Sequence, residues 1–253
     1  MNRFGDLAPP PDAEPPQSAA KASSEIHHSH RDVTGGWLRP TVFGMMDGLV
    51  SNFALIAGVS GAHASRHAVI VAGVAGLVGG AFSMATGEFV SVQSQNESVR
   101  AEVEVERREL RHNFAAEVEE LAHTYVERGV EPKLAAEVAR QLSADPRQAL
   151  AIHAREELGV DPDDLPSPLV AALSSLASFT VGAFIPLLPY VLGAGSVAIS
   201  AVLSLAALFL AGALTARFTV RGWVFSGARQ LAVGVLAAAV TYGVGELFGA
   251  TVG

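Results

Sequence analysis

Long apolar runs and one long polar stretch divide this chain of 253 residues. Five runs, at 41–62, 68–91, 168–192, 196–216 and 229–250, have the length a helix needs to cross a bilayer core, about 20 residues for ~30 Å. Between the second and third runs the pattern changes to a helical period. Val99, Val103, Leu110 and Phe114 define one apolar stripe. A second helix is predicted from about Ala115 to Arg128, stopping near Gly129, and a third over 132–142. A fourth runs from Pro146 to Glu157 and ends at Gly159, with Pro162 beyond. Residues 1–36, with Pro9, Pro10, Pro11, Pro15 and Pro16 among Ala, Ser and charge, have no apolar period and read as a disordered tail. The tail lacks a basic stretch followed by an apolar one, so no cleaved secretory signal is expected. The predicted fold is all-α and polytopic: membrane helices 1–2 within 37–91, a helical insertion at 92–166, and membrane helices 3–5 within 167–253.

Charge sharpens this division. Only 17% of residues are charged and half are apolar. From Glu97 to Asp164 there are 17 acids and 9 bases, so the insertion carries −8, which is the net charge of the whole chain. That sign excludes a basic nucleic-acid binder. The absence of cysteine excludes disulfides, zinc ribbons, iron–sulfur clusters and thiol nucleophiles. Orientation follows from the arginines outside the insertion. Arg31 and Arg39 precede the first run, and Arg66 alone separates the first from the second. Gly193-Ala194-Gly195 joins the third to the fourth without charge, while Arg217, Arg221 and Arg229 crowd the last link. A cytoplasmic N-terminus puts every basic cluster inside, together with the insertion, and leaves the C-terminus outside. The Ala/Arg-rich composition and short links point to a bacterial inner membrane.

Small residues are frequent in the runs, and the chain holds 25 glycines. Gly73, Gly76, Gly79 and Gly80 line one side of the second run, with Gly76 and Gly80 forming a GxxxG pair. In lipid such pairs let helices approach closely, either within one chain or between subunits.

Asp47 is the most informative residue. It lies seven residues past Pro40, roughly 10 Å into a helix. An aspartate at mid-membrane costs on the order of 3 kcal/mol. Apart from Arg229 at the very edge of the last run, no arginine or lysine lies inside any apolar run to neutralise it. Either the carboxylate bonds to a neighbouring helix, or a travelling cation or proton supplies the positive charge. Met84 and Glu88, one turn apart on one face of the second run, add a thioether and a second carboxylate at comparable depth. That mixture suits a divalent first-row metal better than magnesium or calcium. A membrane methionine taken alone is more often a packing residue. A carboxylate binds metal only after losing its proton, which links metal passage to proton passage.

In the insertion, Glu102, Glu106 and Glu109 at i, i+4 and i+7 share one stripe beside the Val99/Leu110 face. Glu117 and Glu120 (i, i+3) and His153 and Glu157 (i, i+4) form further pairs. Helical bundles hold divalent metals with carboxylates and imidazoles at these spacings, and a solvated acidic surface uses the same spacings without a ligand. The tail's His27-His28-Ser29-His30 is either a weak metal site or polar linker. Gly58-Val59-Ser60-Gly61 matches the GxSG pattern of intramembrane serine proteases. None of the eight histidines lies in the last three runs to serve as base, so no enzyme activity is expected.

Five segments, taken in order, resemble the vacuolar iron transporter (nodulin-like) family over about residues 37–250. They are Asp47-Gly48-Leu49-Val50-Ser51, then Ser83-Met84-Ala85-Thr86-Gly87-Glu88-Phe89-Val90-Ser91, the glutamate-rich insertion, Glu156-Glu157-Leu158-Gly159, and Pro186-Leu187-Leu188-Pro189-Tyr190. The resemblance implies a homodimer of five-helix subunits that exchanges cytosolic Fe²⁺, often also Mn²⁺, for protons. It implies a cytosolic metal-binding insertion that gathers metal through glutamates. By motif, Asp47 and Met84 match the membrane metal site, and Glu106, Glu109, Glu117, Glu120 and Glu157 match the cytosolic ligands; Glu102 lies on the same stripe. The sequence also departs from the family pattern. Gly76 stands where some members have a carboxylate, His153 and Ala154 where some have methionine, Met46 where many have Asn, and Phe179 where some have Tyr. Histidine in place of a thioether shifts preference toward harder ions.

The expected function, for a bacterial member of this family, is export of Fe²⁺ and Mn²⁺ from the cytosol by exchange with protons. Asp47, Met84 and Glu88 are the expected transport pathway. Glu102, Glu106, Glu109, Glu117, Glu120, His153 and Glu157 are the expected metal-collecting set. Expected partners are divalent metal ions, protons, the lipid bilayer and a second copy of the chain, with no nucleic acid and no resident cofactor. The alternative is a membrane-anchored metal sensor or sequestering protein whose helices only tether the insertion. A tether has no need of Asp47.

Overall fold

The first apolar run becomes α1 (Leu38–Gly61) in a computed structural model that describes residues 36–218 and 220–252. Ala62 and His63 turn the chain, His63 taking φ 55°. Ser65 then caps α2 (Arg66–His112), its Oγ accepting from the Ala68 N–H at 3.3 Å. α2 joins the second apolar run to the first helix of the insertion without a break. The junction, Ser91 to Ser98, contains neither Gly nor Pro. It is bridged by Gln93 Nε2 donating to Glu97 Oε1 (2.7 Å) and Ser98 Oγ donating to the Ser94 carbonyl (3.0 Å). At 47 residues α2 is about 70 Å long, more than twice a bilayer core.

The apolar stripe predicted through Phe114 stops short of it. The helix ends at Asn113, whose side chain donates to Glu109 Oε2, and Phe114 instead opens α3 (Phe114–Glu127). Asparagine prefers such local bonds to a helix interior. α4 (Pro132–Leu142) and α5 (Pro146–Glu157) have the predicted limits because each begins with a proline behind a capping carboxylate. Glu131 accepts from Leu134 N, and Asp145 from Arg147 N and Gln148 N. α6 (Pro168–Val191), α7 (Val197–Thr215), a 3₁₀ turn (Ala216–Phe218) and α8 (Trp223–Val252) follow. α8 starts six residues before the predicted run, so Arg229 lies inside it. Residues 1–35, with the tail and its histidines, lie outside the described residues.

α1, α2, α6, α7 and α8 are long and apolar enough to cross a membrane. Alternate crossings put the insertion and the α7–α8 link on the side where α1 begins. α1 packs along α6 and α8, α2 along α6, and α7 along α8. The α1–α6 seam brings backbone against backbone. A Cβ at Gly48 would collide with the Phe179 carbonyl oxygen, and one at Gly182 with that of Met45. The GxxxG pair also packs inward: Gly76 faces Leu55 and Asn52 on α1, Gly80 faces the Phe179 ring, and Gly79 has open space. Ile56, Val69, Leu187 and Tyr190 form one core cluster; Ala81, Phe179 and Ala183 form another, with Leu77, Met84 and Leu176 against it. Ser60, the serine of the GxSG match, pairs its hydroxyl with Tyr190 Oη at 2.9 Å, and Arg66 Nε donates to the Tyr190 carbonyl at 2.8 Å. Where the insertion returns to α6, buried Asn96 donates to the Pro166 carbonyl at 2.9 Å and pins the return against α2.

Candidate metal centres

Three helices of the insertion converge on one point. α2 supplies Glu106, α3 supplies Glu117, and α5 supplies His153 and Glu157, each with a ligand atom within 4.8 Å of the others. His153 is fully buried, and its Nδ1 faces the carboxylates. It stands 3.1 Å from Glu106 Oε1, 3.1 Å from Glu157 Oε1 and 3.9 Å from Glu117 Oε2. The Glu157 contact is a hydrogen bond; Glu106 Oε1 is buried and makes none. Burial pushes the Glu106 carboxyl up to about 7, aided by the charges of Glu157, Glu117 and Glu120 and by a hydrogen bond with Glu117. Glu117 shifts upward too, from burial first and then from Glu120 and Glu157, with His153 opposing. Three carboxylates and one imidazole can hold a divalent first-row metal, and a 2+ ion would relieve the repulsion that raises these values.

The other predicted ligands stay outside this group. Glu109 is exposed and accepts from Asn113, although its charge reaches Glu117. Glu120 is exposed at the rim and acts on both Glu106 and Glu117. Glu102, a turn before Glu106, is exposed and contributes no atom to the cluster. Nearby Glu156 is engaged elsewhere, in an ion pair with Arg128.

A second centre lies among the membrane helices. A cavity of about 340 Å³ is lined by Asp47, Ser51, Asn52 and Leu55 of α1, Gly76, Gly80, Ser83 and Met84 of α2, and Phe179 of α6. Asp47 and Met84 are thus brought to one space. Glu88, a turn beyond Met84, is half-buried and is not in the lining. Among the described residues no side chain donates to the Asp47 carboxylate; Ser51 Oγ donates instead to the Asp47 carbonyl at 2.6 Å. Phe179 seals the cavity on the α6 side, where a tyrosine would have brought a hydroxyl. Met46, beside Asp47, points elsewhere and receives the Gln230 amide. Asn52 was the residue that pattern reading passed over. Its signal was an amide five positions after Asp47 in an otherwise apolar stretch.

A family model described as the VIT family matches residues 38–246, which contain both centres. A vacuolar iron transporter of Acanthamoeba castellanii is 42% identical over 222 residues, covering 85% of this chain and 79% of that protein. Vacuolar iron transporter 1 of Arabidopsis thaliana is 33% identical over 220 residues, covering 85% of this chain and 88% of that protein. Vacuolar iron transporter homolog 1 of Oryza sativa subsp. japonica is 36% identical over 219 residues, 84% of this chain and 74% of that protein. With five helices of membrane-crossing length and a family match from the start of α1 well into α8, this chain is an integral membrane protein of the VIT family, the vacuolar iron transporters.

Proposed function

We propose that the protein exports divalent iron, and with it manganese, from the cytosol in exchange for protons, working as a homodimer. Asp47 carries this reading. Its carboxylate opens on a cavity within the apolar belt beside Met84, and no side chain of the described residues neutralises it. Holding such a group in a bilayer costs on the order of 3 kcal/mol, which a mere tether would have no reason to retain. That the relatives are named vacuolar iron transporters supports iron as the cargo. In this reading the insertion faces the cytosol and its Glu106–Glu117–His153–Glu157 cluster gathers the ion. Glu109 and Glu120 add negative potential at the rim, and Glu102 stays peripheral. Glu88 lies on α2 between the cluster and Met84 and marks the way inward. A proton arriving from the far side discharges Asp47 and releases the metal. The imidazole of His153 in place of a thioether favours Fe²⁺ and Mn²⁺ over softer ions. In a bacterial inner membrane, the same direction of movement is efflux from the cell.

Purified protein in liposomes with an imposed pH gradient should move Fe²⁺, and Asp47→Ala should abolish the flux while eluting and melting like the parent. Parental flux in that variant removes the membrane centre from the mechanism. The insertion cluster by itself would also serve a tethered sequestering protein. Tight metal binding by a parent that moves no ion in either direction would favour that second reading.

A further inference from the structure

The cavity beside Asp47 contains a second oxygen that the transport reading leaves unused. Asn52 is 2% exposed, and the two ends of its amide have different surroundings. Nδ2 donates to the Ala183 carbonyl of α6 at 2.6 Å. Only the NH₂ end can make that bond, because a carbonyl needs a donor opposite it. The rotamer is thereby set, and Oδ1 is turned away from Ala183. No donor reaches it. Ser51, its neighbour in the lining, gives its own proton to the Asp47 carbonyl. A buried amide oxygen left without a partner is destabilising unless something supplies a positive charge or a donor. What lies in front of it is the missing side chain of Gly76, where a Cβ would stand 2.9 Å from Oδ1. At this α2 position the glycine lets Asn52 Oδ1 and the end of the Leu55 side chain close on the backbone, at the wall of the cavity that Asp47 also lines.

We propose that Asn52 Oδ1 is a cation ligand, forming at the Gly76 wall of this cavity a second metal position about 7.5 Å further along α1 than Asp47. The amide oxygen is hard and uncharged. It replaces water in the shell of Fe²⁺ or Mn²⁺ without adding a second buried anion, and it discriminates against soft monovalent ions. The identity of the cargo rests on the transport reading above; the binding position rests on the cavity and the unpartnered oxygen.

The test uses the full chain with the insertion cluster silenced by Glu106→Gln and Glu117→Gln, so that bound Mn²⁺ reports the membrane cavity by electron paramagnetic resonance. Fe²⁺ flux is measured in parallel on the unsilenced protein in liposomes. Asn52→Ala and Gly76→Ala should each weaken cavity binding of Mn²⁺ by about 10- to 100-fold, the usual cost of disturbing a metal's coordination sphere. Gly76→Ala brings no atom against Asn52 Nδ2 or the Ala183 carbonyl; the new methyl meets Oδ1 and the end of the Leu55 side chain, a flexible group that can give way. It should therefore melt with the parent. Normal binding in Gly76→Ala with loss in Asn52→Ala would reduce Asn52 to a tie between helices and overturn the proposal. Parental binding in both variants, or no cavity binding before either change, would overturn it equally. A parent that binds Mn²⁺ in the cavity, loses it in both variants, and yet moves no Fe²⁺ would sustain the ligand assignment while sinking the transport reading.

Discussion

Glu106 shows what crowding does to a single side chain. Burial and three neighbouring glutamates raise its carboxyl from 4.5 to about 7. A raised carboxyl means that the fold prefers the protonated form. The stabilisation is complete below the ordinary value of 4.5 and is lost as pH rises through about 7. In chelator, the protein should therefore melt at higher temperature near about pH 5.5 than near about pH 8, and Glu106→Gln should flatten that difference. Added Mn²⁺ should reverse the order, since a cation binds the deprotonated group. Melting curves across this range, with and without Mn²⁺, check both statements. An equal pH slope in parent and Glu106→Gln would show that the cluster does not behave as a repelling set of carboxyls.

Among the elements, the α1–α6 pair is the most sensitive to small changes. Gly48 and Gly182 let the two backbones touch, and a side chain at either meets carbonyl oxygen rather than a yielding methyl. Gly48→Val should accordingly abolish the monodisperse elution peak of the purified protein. Gly79 sits on α2 with nothing within 4 Å, so Gly79→Val should keep the subunit fold and a near-parental melting temperature. If Gly79→Val dissociates a dimer while the subunit stays folded, this face of α2 is the proposed interface; an intact dimer places the interface on another helix. α2 matters in a second way. Because no residue breaks it between the apolar run and Glu106, the cluster and the membrane cavity are attached to one continuous helix.

At the scale of the whole molecule, the basic residues set the proposed orientation, and the chain provides a clean way to check it. It has no cysteine, so single cysteines introduced at exposed Ala115 in the insertion and exposed Ala194 in the α6–α7 turn report each side alone. In intact cells an impermeant maleimide should label Ala194→Cys and spare Ala115→Cys. The opposite pattern would invert the direction of transport.

The residue pattern alone determined the element list and the residue types available for chemistry. Twenty-residue apolar runs, proline starts behind carboxylate caps and glycine stops are local signals, each read within one or two helical turns. The same local logic picks out Asp47, because a charge in an apolar run has no ordinary use. Convergence is not local. Seven insertion residues had ligand chemistry and helical spacing, yet only Glu106, Glu117, His153 and Glu157 meet, because the crossing of α2, α3 and α5 selects which turn of each helix faces the others. Glu88 has the same periodicity as Met84 but misses the cavity, and the GxxxG pair proves to pack against α1 and α6. Asn52 acquires its meaning only from a carbonyl 131 positions away, which holds one end of the amide and leaves the other without a partner. Periodicity states which faces a helix has; only the packing of distant segments states what each face meets.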